Sequence, residues 1–146
     1  EQVDYEIVSA AMKTLGVEVW MEREARTLSG GELQRVMLAR IVAQDSPIIL
    51  CDEPAAGLDP KYRISTFETL KALSARERKA IIVTVHDLSL AVTYCDRIIL
   101  ISGGSKRYDG KPAELQEEVL SEAYQSKVTI IRTNAGVFFL FTSACE

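Results

Sequence analysis

Two adjacent acids, Asp52 and Glu53, follow four apolar residues, Ile48 to Cys51, in the run SPIILCDEP. Carboxylates at a strand end can divide one reaction between them. Asp52 would hold magnesium, usually through water, while Glu53 would polarise an attacking water as general base. A strand ending in two acids is also a common solvated loop, so the pair needs further support. Ser29-Gly30-Gly31 opens an amphipathic stretch, and Glu32 stands three residues after Ser29. That spacing is a capping box, which starts many helices that bind nothing. It leaves the two glycines unexplained, since each lowers helix stability by roughly 1 kcal/mol against alanine at interior positions. Glycines in a first turn leave backbone N–H groups uncovered, and a helix N-terminus with bare donors favours an anion such as phosphate. The third candidate is His86, the only histidine of the chain. A lone histidine after a strand is more often a hydrogen-bonded surface residue, but its ring could also donate to a phosphate oxygen and bridge to a carboxylate.

Chemistry of this kind depends on elements that hold the groups in place. Ile7, Val8, Ala11, Met12 and Leu15 share one helical face, and Gly16 follows where helices often end. After a charged connector, Glu22 to Arg26, the spacing of Leu33, Val36, Met37, Arg40 and Ile41 predicts a second helix with Ser29 as its cap. Ile48 to Cys51, between Pro47 and Pro54, reads as a buried strand. Asp59-Pro60 opens a third helix with Ile64, Phe67 and Leu70 inward. Ala80 to Val85 is a second strand ending at His86, a short helix capped by Asp87 follows, and Arg97 to Ile101 is a third strand. Strands alternating with helices imply parallel pairing in an α/β sheet, whose ligand crevice lies at the strands' carboxyl ends. Asp52, Glu53 and His86 are expected there. Beyond Gly103-Gly104 the pattern becomes a turn, a polar strand around Lys106 to Tyr108, and small helices from Pro112 to Gln125. Two apolar runs, Val128 to Ile131 and Val137 to Thr142, then flank Thr133 to Gly136 as a hairpin.

The chain has 146 residues, 47% of them hydrophobic and 26% charged, the balance of one globular domain or a piece of a larger one. Its net charge of -4 supplies no basic field of the kind nucleic-acid binders use, so no nucleic-acid partner is expected. Cys51, Cys95 and Cys145 are far apart with no CxxC pair, which reads as reduced thiols of a cytosolic protein rather than a metal site. No apolar run approaches the roughly 18 residues of a membrane span, and no signal-peptide layout opens the chain. Any membrane contact is expected to come through a partner. The opening Glu1-Gln2-Val3, in place of Met, predicts further residues upstream.

Taken in order, the candidate residues resemble a family. LSGGELQR, Leu28 to Arg35, looks like the signature motif of the ABC ATPases. IILCDEP looks like their Walker B strand, AGLD from Ala56 to Asp59 resembles the D-loop, and VTVHD resembles the H-switch. The resemblance implies that the signature residues Leu28, Ser29, Gly30, Gly31 and Glu32 meet ATP, with Ser29, Gly30 and Gly31 on the γ-phosphate of a nucleotide bound mainly by the opposite subunit. It implies Asp52 as the Mg2+-site aspartate, Glu53 as catalytic base, His86 as γ-phosphate sensor, and Asp59 as the residue reaching across the dimer. The implied fold is α/β: a partial P-loop NTPase (RecA-like) core with a mostly parallel sheet, the end of the ABC helical subdomain over residues 1–45, and a C-terminal hairpin closing residues 46–146.

The family also needs a P-loop, G-x-x-x-x-G-K-[ST], whose backbone amides and lysine bind the nucleotide phosphates. These residues contain none. Gly104 to Pro112, GSKRYDGKP, imitates it with glycines spaced one residue too far and proline in place of the hydroxyl, so Gly110-Lys111-Pro112 reads as a turn. The chain is therefore expected to be the C-terminal part of a nucleotide-binding domain, inactive toward ATP alone. Its expected partners are a second nucleotide-binding domain and transmembrane permease subunits, at the cytoplasmic face of the membrane. HDLSLAVTYCDRIILISGGSKRYDGKPAEL is similar to importer ATPases serving iron-siderophore, haem or cobalamin uptake. Two other classes share the motifs: soluble ABC ATPases of repair, translation or cluster assembly, and a non-catalytic half-domain that completes another subunit's site.

Overall fold

The computed structural model describes residues 2–134 and 136–143, and the chain divides into two compact units, Glu1–Thr84 and Val85–Glu146. The first contains α1 (Gln2–Thr14), α2 (Gly30–Ala43), β1 (Ile48–Asp52), α3 (Pro60–Glu77) and β2 (Ala80–Thr84), with 3-10 turns at Glu18–Trp20 and Ala25–Thr27. β1 and β2 pair in parallel, Ile48 opposite Ala80 through Asp52 opposite Thr84. The helical crossover α3 makes that pairing possible, since parallel neighbours cannot be joined by a tight turn.

Helix α2 is buried on two faces. Ala39 and Val36 pack with Met12 and Val17, while Leu38 and Ile41 pack with Ile49, Cys51 and Leu70 of the strand side. A single apolar stripe does not describe a helix held between another helix and a sheet, so the expected inward Met37 and Arg40 are exposed and Leu38 and Ala39 are buried. Helix α1 is buried only near its C-terminal end, at Ala11 and Met12, and the expected inward Ile7 and Val8 are exposed. Arg35 ties these helices together. Its guanidinium donates to the carbonyls of Leu15 at 2.7 Å and Gly16 at 3.3 Å and lies 5.3 Å from the Trp20 ring and 5.1 Å from the Tyr62 ring. A cation there satisfies carbonyls left open at the end of α1.

Among the described residues, β1 is covered on one face. Ile49 and Cys51 are inside, whereas Ile48 and Leu50 are 57% and 71% exposed. In α3, Phe67, Leu70 and Leu73 are buried together with Thr66, and Ile64 is exposed. Burial in the sheet raises the Cys51 thiol above its ordinary pKa. Cys51 is a free thiol, and Cys145 lies outside the described residues.

The second unit contains α4 (Leu88–Tyr94), β3 (Ile98–Ser102), β4 (Ser105–Gly110), α5 (Glu117–Tyr124), β5 (Lys127–Thr133) and β6 (Gly136–Thr142). Ala91, Ile98, Leu115, Leu120 and Val128 form its core. β3 does not join a parallel sheet among the described residues; it pairs antiparallel with β4. The reason is the turn between them. Gly103 and Gly104 have φ of +56° and +71°, the left-handed pair that closes a two-residue hairpin in step with strand twist. β5 and β6 form the expected second hairpin, with Thr133 opposite Gly136; Ala135 between them lies outside the described residues. GKP falls where a turn was expected: Gly110 ends β4 and Pro112 begins a 3-10 turn. A Cβ on Gly110 would stand 2.7 Å from the Tyr108 hydroxyl, which accounts for this glycine by packing.

Asp109 on β4 accepts from Arg97 Nε at 2.7 Å and Lys106 Nζ at 2.8 Å. The two cations hold its carboxyl at about 2, down from the ordinary 3.8. A depressed carboxylate contributes stability that is present above the unfolded value and lost as pH falls through the folded one. Urea unfolding midpoints between pH 5 and 2 are therefore expected to fall less steeply in Asp109→Asn than in the parent chain. Equal slopes would remove Asp109 from the acid limb.

Candidate functional site

The first unit brings the signature helix and the acid pair into one arrangement. Ser29 is the N-cap of α2, with its backbone N–H donating to Glu32 Oε2 at 2.7 Å and its Oγ accepting from the Glu32 N–H at 3.4 Å. Those bonds from Ser29 hold the Glu32 carboxyl below the usual carboxylate range, with Arg23 adding to the effect. The box uses the amides of Ser29 and Glu32 and leaves over the two between them, those of Gly30 and Gly31. A cap contributes about 1 kcal/mol and still leaves donors at the positive end of the helix.

The two glycines differ in what surrounds them. A Cβ on Gly31 would meet Leu58 Cδ2 at 3.3 Å, whereas one on Gly30 would meet nothing within 4 Å. Leu58 is buried, so close packing of the loop after β1 accounts for Gly31. It does not account for Gly30. The same loop is fastened to α2 by Gln34, whose Nε2 donates to the Pro54 carbonyl at 3.0 Å.

Asp52 ends β1 and Glu53 follows in the left-handed region at φ +44°, a conformation that costs an L residue of this type roughly 1 to 3 kcal/mol. The Glu53 N–H donates to Thr84 Oγ1 at 3.0 Å, and Thr84 Oγ1 donates to Asp52 Oδ1. The chain then turns, with Ala56 N–H bonded to the Glu53 carbonyl at 3.0 Å and Gly57 at φ +70°. Asp59 stands at the N-cap of α3 with Pro60 in the first turn, but its side chain makes no capping bond. Its carboxylate is therefore not used by the helix it precedes. His86 belongs to the second unit, exposed ahead of α4. There Asp87 caps α4 by accepting from the N–H groups of Ser89 at 2.9 Å and Leu90 at 3.2 Å.

Two polar residues escaped the sequence reading. Gln34 lies four residues before Leu38, on the face of α2 turned toward β1, so a stripe centred on Leu38 would have marked it. Thr84 is the last residue of its strand, and only the register opposite Asp52 shows its use.

The α/β fold is that of ABC-type ATPase domains. A metal-chelate type ABC transporter described as inward-facing matches 97% of this chain and 57% of its own at a TM-score of 0.86, with 23% identity, a likeness of fold alone. A dimeric ATP-binding cassette bound to ADP and Pi in a post-hydrolysis state matches 70% of this chain and 44% of its own, with 33% identity and a TM-score of 0.65. Residues 2–56 match the ABC transporter family. The cobalamin import ATP-binding protein BtuD of Halobacterium salinarum is 38% identical over 87% of this chain and 32% of its own length. The phosphonates import ATP-binding protein PhnC of Caulobacter vibrioides is 40% identical over 79% and 44%, and the hemin import ATP-binding protein HmuV of Nocardia farcinica 40% over 88% and 44%. The chain is thus similar to ATP-binding proteins of the ABC transporter family, and it spans 32% to 44% of the length of these relatives.

If Gly31 is required by packing and Gly30 is not, alanine separates them. Gly30→Ala is expected to keep or raise the unfolding midpoint, by up to about 1 kcal/mol, because alanine is the better helix former. Gly31→Ala is expected to lower it, since the buried Leu58 must shift. Urea denaturation of both variants decides, and equal destabilisation would make both glycines structural.

Proposed function

We propose that this chain is the signature-to-H-switch portion of the ATP-hydrolysing subunit of an ABC importer, with residues 1–45 ending its helical subdomain and residues 46–146 forming the later part of its ATPase core. One observation carries the reading. A capped helix with two uncovered glycine amides is fastened, by Gln34 to Pro54 and by Gly31 against Leu58, to the loop that bears Asp52, Glu53 and Asp59. Relatives named as import ATP-binding proteins support it.

On this reading the amides of Gly30 and Gly31 and the Ser29 hydroxyl bind the γ-phosphate of ATP held mainly by a second copy of the domain. Ser29 Oγ can accept from Glu32 and still donate its own proton, because a hydroxyl does both. Leu28 and Glu32 flank that contact, and Asp59 reaches toward the partner domain. The donor set at Asp52 fits Mg2+: one carboxylate at a strand end, completed by substrate phosphates and water, is the arrangement this hard cation favours. Mg2+ there would neutralise phosphate charge. Glu53 takes the proton of the attacking water, and His86 donates to the γ-phosphate.

Permease subunits would supply the membrane contact at the cytoplasmic face; among the described residues no helix is long and apolar enough to cross a membrane. The cargo falls, on the run from His86 to Leu115, in the iron-siderophore, haem and cobalamin group. The relatives named for cobalamin and hemin lie in it and the one named for phosphonates lies outside it, so uptake of labelled cobalamin, haem and phosphonate by the assembled transporter distinguishes them.

In the full-length protein, Glu53→Gln is expected to keep ATP binding and lower turnover at least about 100-fold, the lower end of the usual general-base contribution. Unchanged turnover would take Glu53 out of the base role. The 146 residues alone, which contain no P-loop, are expected to bind Mg-ATP weakly. Tight one-to-one binding in titration calorimetry would overturn that expectation.

A further inference from the structure

One hydroxyl is bonded to both members of the acid pair. Thr84 lies directly opposite Asp52 in the parallel register, so both side chains stand on the same face of the strand pair. Its oxygen receives the Glu53 N–H at 3.0 Å, and its proton goes to Asp52 Oδ1. One hydroxyl supplies one donor and two acceptor sites, which this arrangement uses in a single direction: Glu53 amide to Thr84 oxygen, Thr84 proton to Asp52 carboxylate.

We propose that Thr84 is the positioning residue of the acid pair, setting the Asp52 carboxylate and the left-handed backbone of Glu53 at once. The inference rests on the functional reading above for what the acids do, and on the hydrogen bonds alone for how they are held. Three consequences follow from the geometry. Asp52 Oδ1 is turned toward β2, so Oδ2 is the oxygen presented for a cation. Glu53 has φ +44°, and its amide is fixed on the neighbouring strand, so the direction in which its side chain leaves the loop is fixed too. Because the two bonds share an oxygen, a disturbance at Asp52 is transmitted to the Glu53 backbone. Neither acid touches the substrate through Thr84, and Thr84 is not itself a catalytic residue.

The side chain separates into a shape and a hydroxyl. Thr84→Val keeps the β-branched shape and removes the hydroxyl; Thr84→Ser keeps the hydroxyl. In the full-length protein, Thr84→Val is expected to lower kcat and to raise the Mg2+ concentration for half-maximal ATPase activity, each about 10-fold, the usual scale for losing a partner that orients a metal ligand. KM for ATP is expected to stay within about two-fold, because Thr84 makes no nucleotide contact on this reading. Thr84→Ser is expected to recover most of both losses. A second readout does not use activity: amide hydrogen exchange at Glu53 should quicken about 10-fold in Thr84→Val and remain slow in Thr84→Ser, because the Glu53 N–H donates to the Thr84 hydroxyl. Thr84→Val with parental kcat, Mg2+ requirement and Glu53 exchange overturns the proposal. So does Thr84→Ser behaving as valine does while melting at the parental temperature. Glu53→Gln, assayed alongside, separates the two readings. If it leaves turnover intact, the assignment of the base fails, and Glu53 exchange still decides whether Thr84 holds the loop.

Discussion

Parallel pairing of β1 with β2 is the constraint on which the first unit depends. Two strands running the same way end at the same edge, and here they end together, with Asp52 opposite Thr84. An antiparallel pair would have put the end of one beside the start of the other. The pairing also decides which side chains meet the core: Ile49, Cys51, Ile81 and Val83 turn toward Leu38 and Leu70, and alternation sends Ile48, Leu50 and Ile82 to the other face. Asp52 and Thr84 continue that second, exposed face. The polar end of the strand pair is thus reached without burying either carboxylate, which would have cost far more than an exposed polar end.

Position along the strand is not enough to aim a side chain. Glu53 leaves the strand in the left-handed region, and the chain returns through Pro54 to Leu58 to lie against α2. Two different interactions hold that return. One is polar, from Gln34 to the Pro54 carbonyl; the other is steric, Leu58 approaching Gly31 so closely that a Cβ there would stand 3.3 Å from its Cδ2. α2 can accept both because it is itself pinned, through Leu38 and Ile41 on one side, Val36 and Ala39 on another, and Arg35 across the end of α1. Arg35 therefore holds the body of the helix as Ser29 caps its start, although they stand six residues apart in one motif.

Local signals were legible in the residues, and those set by distant partners were not. The capping box at Ser29, the cap at Asp87, the Asp59-Pro60 start of α3 and the Gly103-Gly104 turn are each decided within a few positions, and each was found in place. Burial was misread wherever it depended on what lies across the fold. Met37 and Arg40 do not turn inward, because one stripe does not describe a helix that has two buried faces. The pairing of β3 with β4 follows from the turn between them. Alternation of helices and strands argues for parallel neighbours, but a two-residue turn of left-handed glycines makes an antiparallel partner of the next strand whatever precedes it. Among the candidate site residues, the order of Ser29, Asp52, Glu53, Asp59 and His86 was visible, while Gln34 and Thr84 became visible only with the contacts that give them a purpose.

The opposition between a structural and a chemical explanation of Ser29-Gly30-Gly31-Glu32 dissolves when the amides are counted one by one. A helix has four N–H groups without an intrahelical acceptor. The capping box satisfies the outer two of this set, at Ser29 and Glu32, by exchanging bonds between their side chains and backbones. The middle two belong to the glycines. A side chain at Gly31 would press on Leu58, and one at Gly30 would meet open space. The cap also places a carboxylate, kept ionised by its bonds to Ser29, beside the donors. That negative charge opposes an anion at the same helix end. A phosphate would therefore gain little from this helix end alone and would need cations on its opposite side to bind well. On the proposed reading, in which the nucleotide is held mainly by a second domain, that domain would supply them.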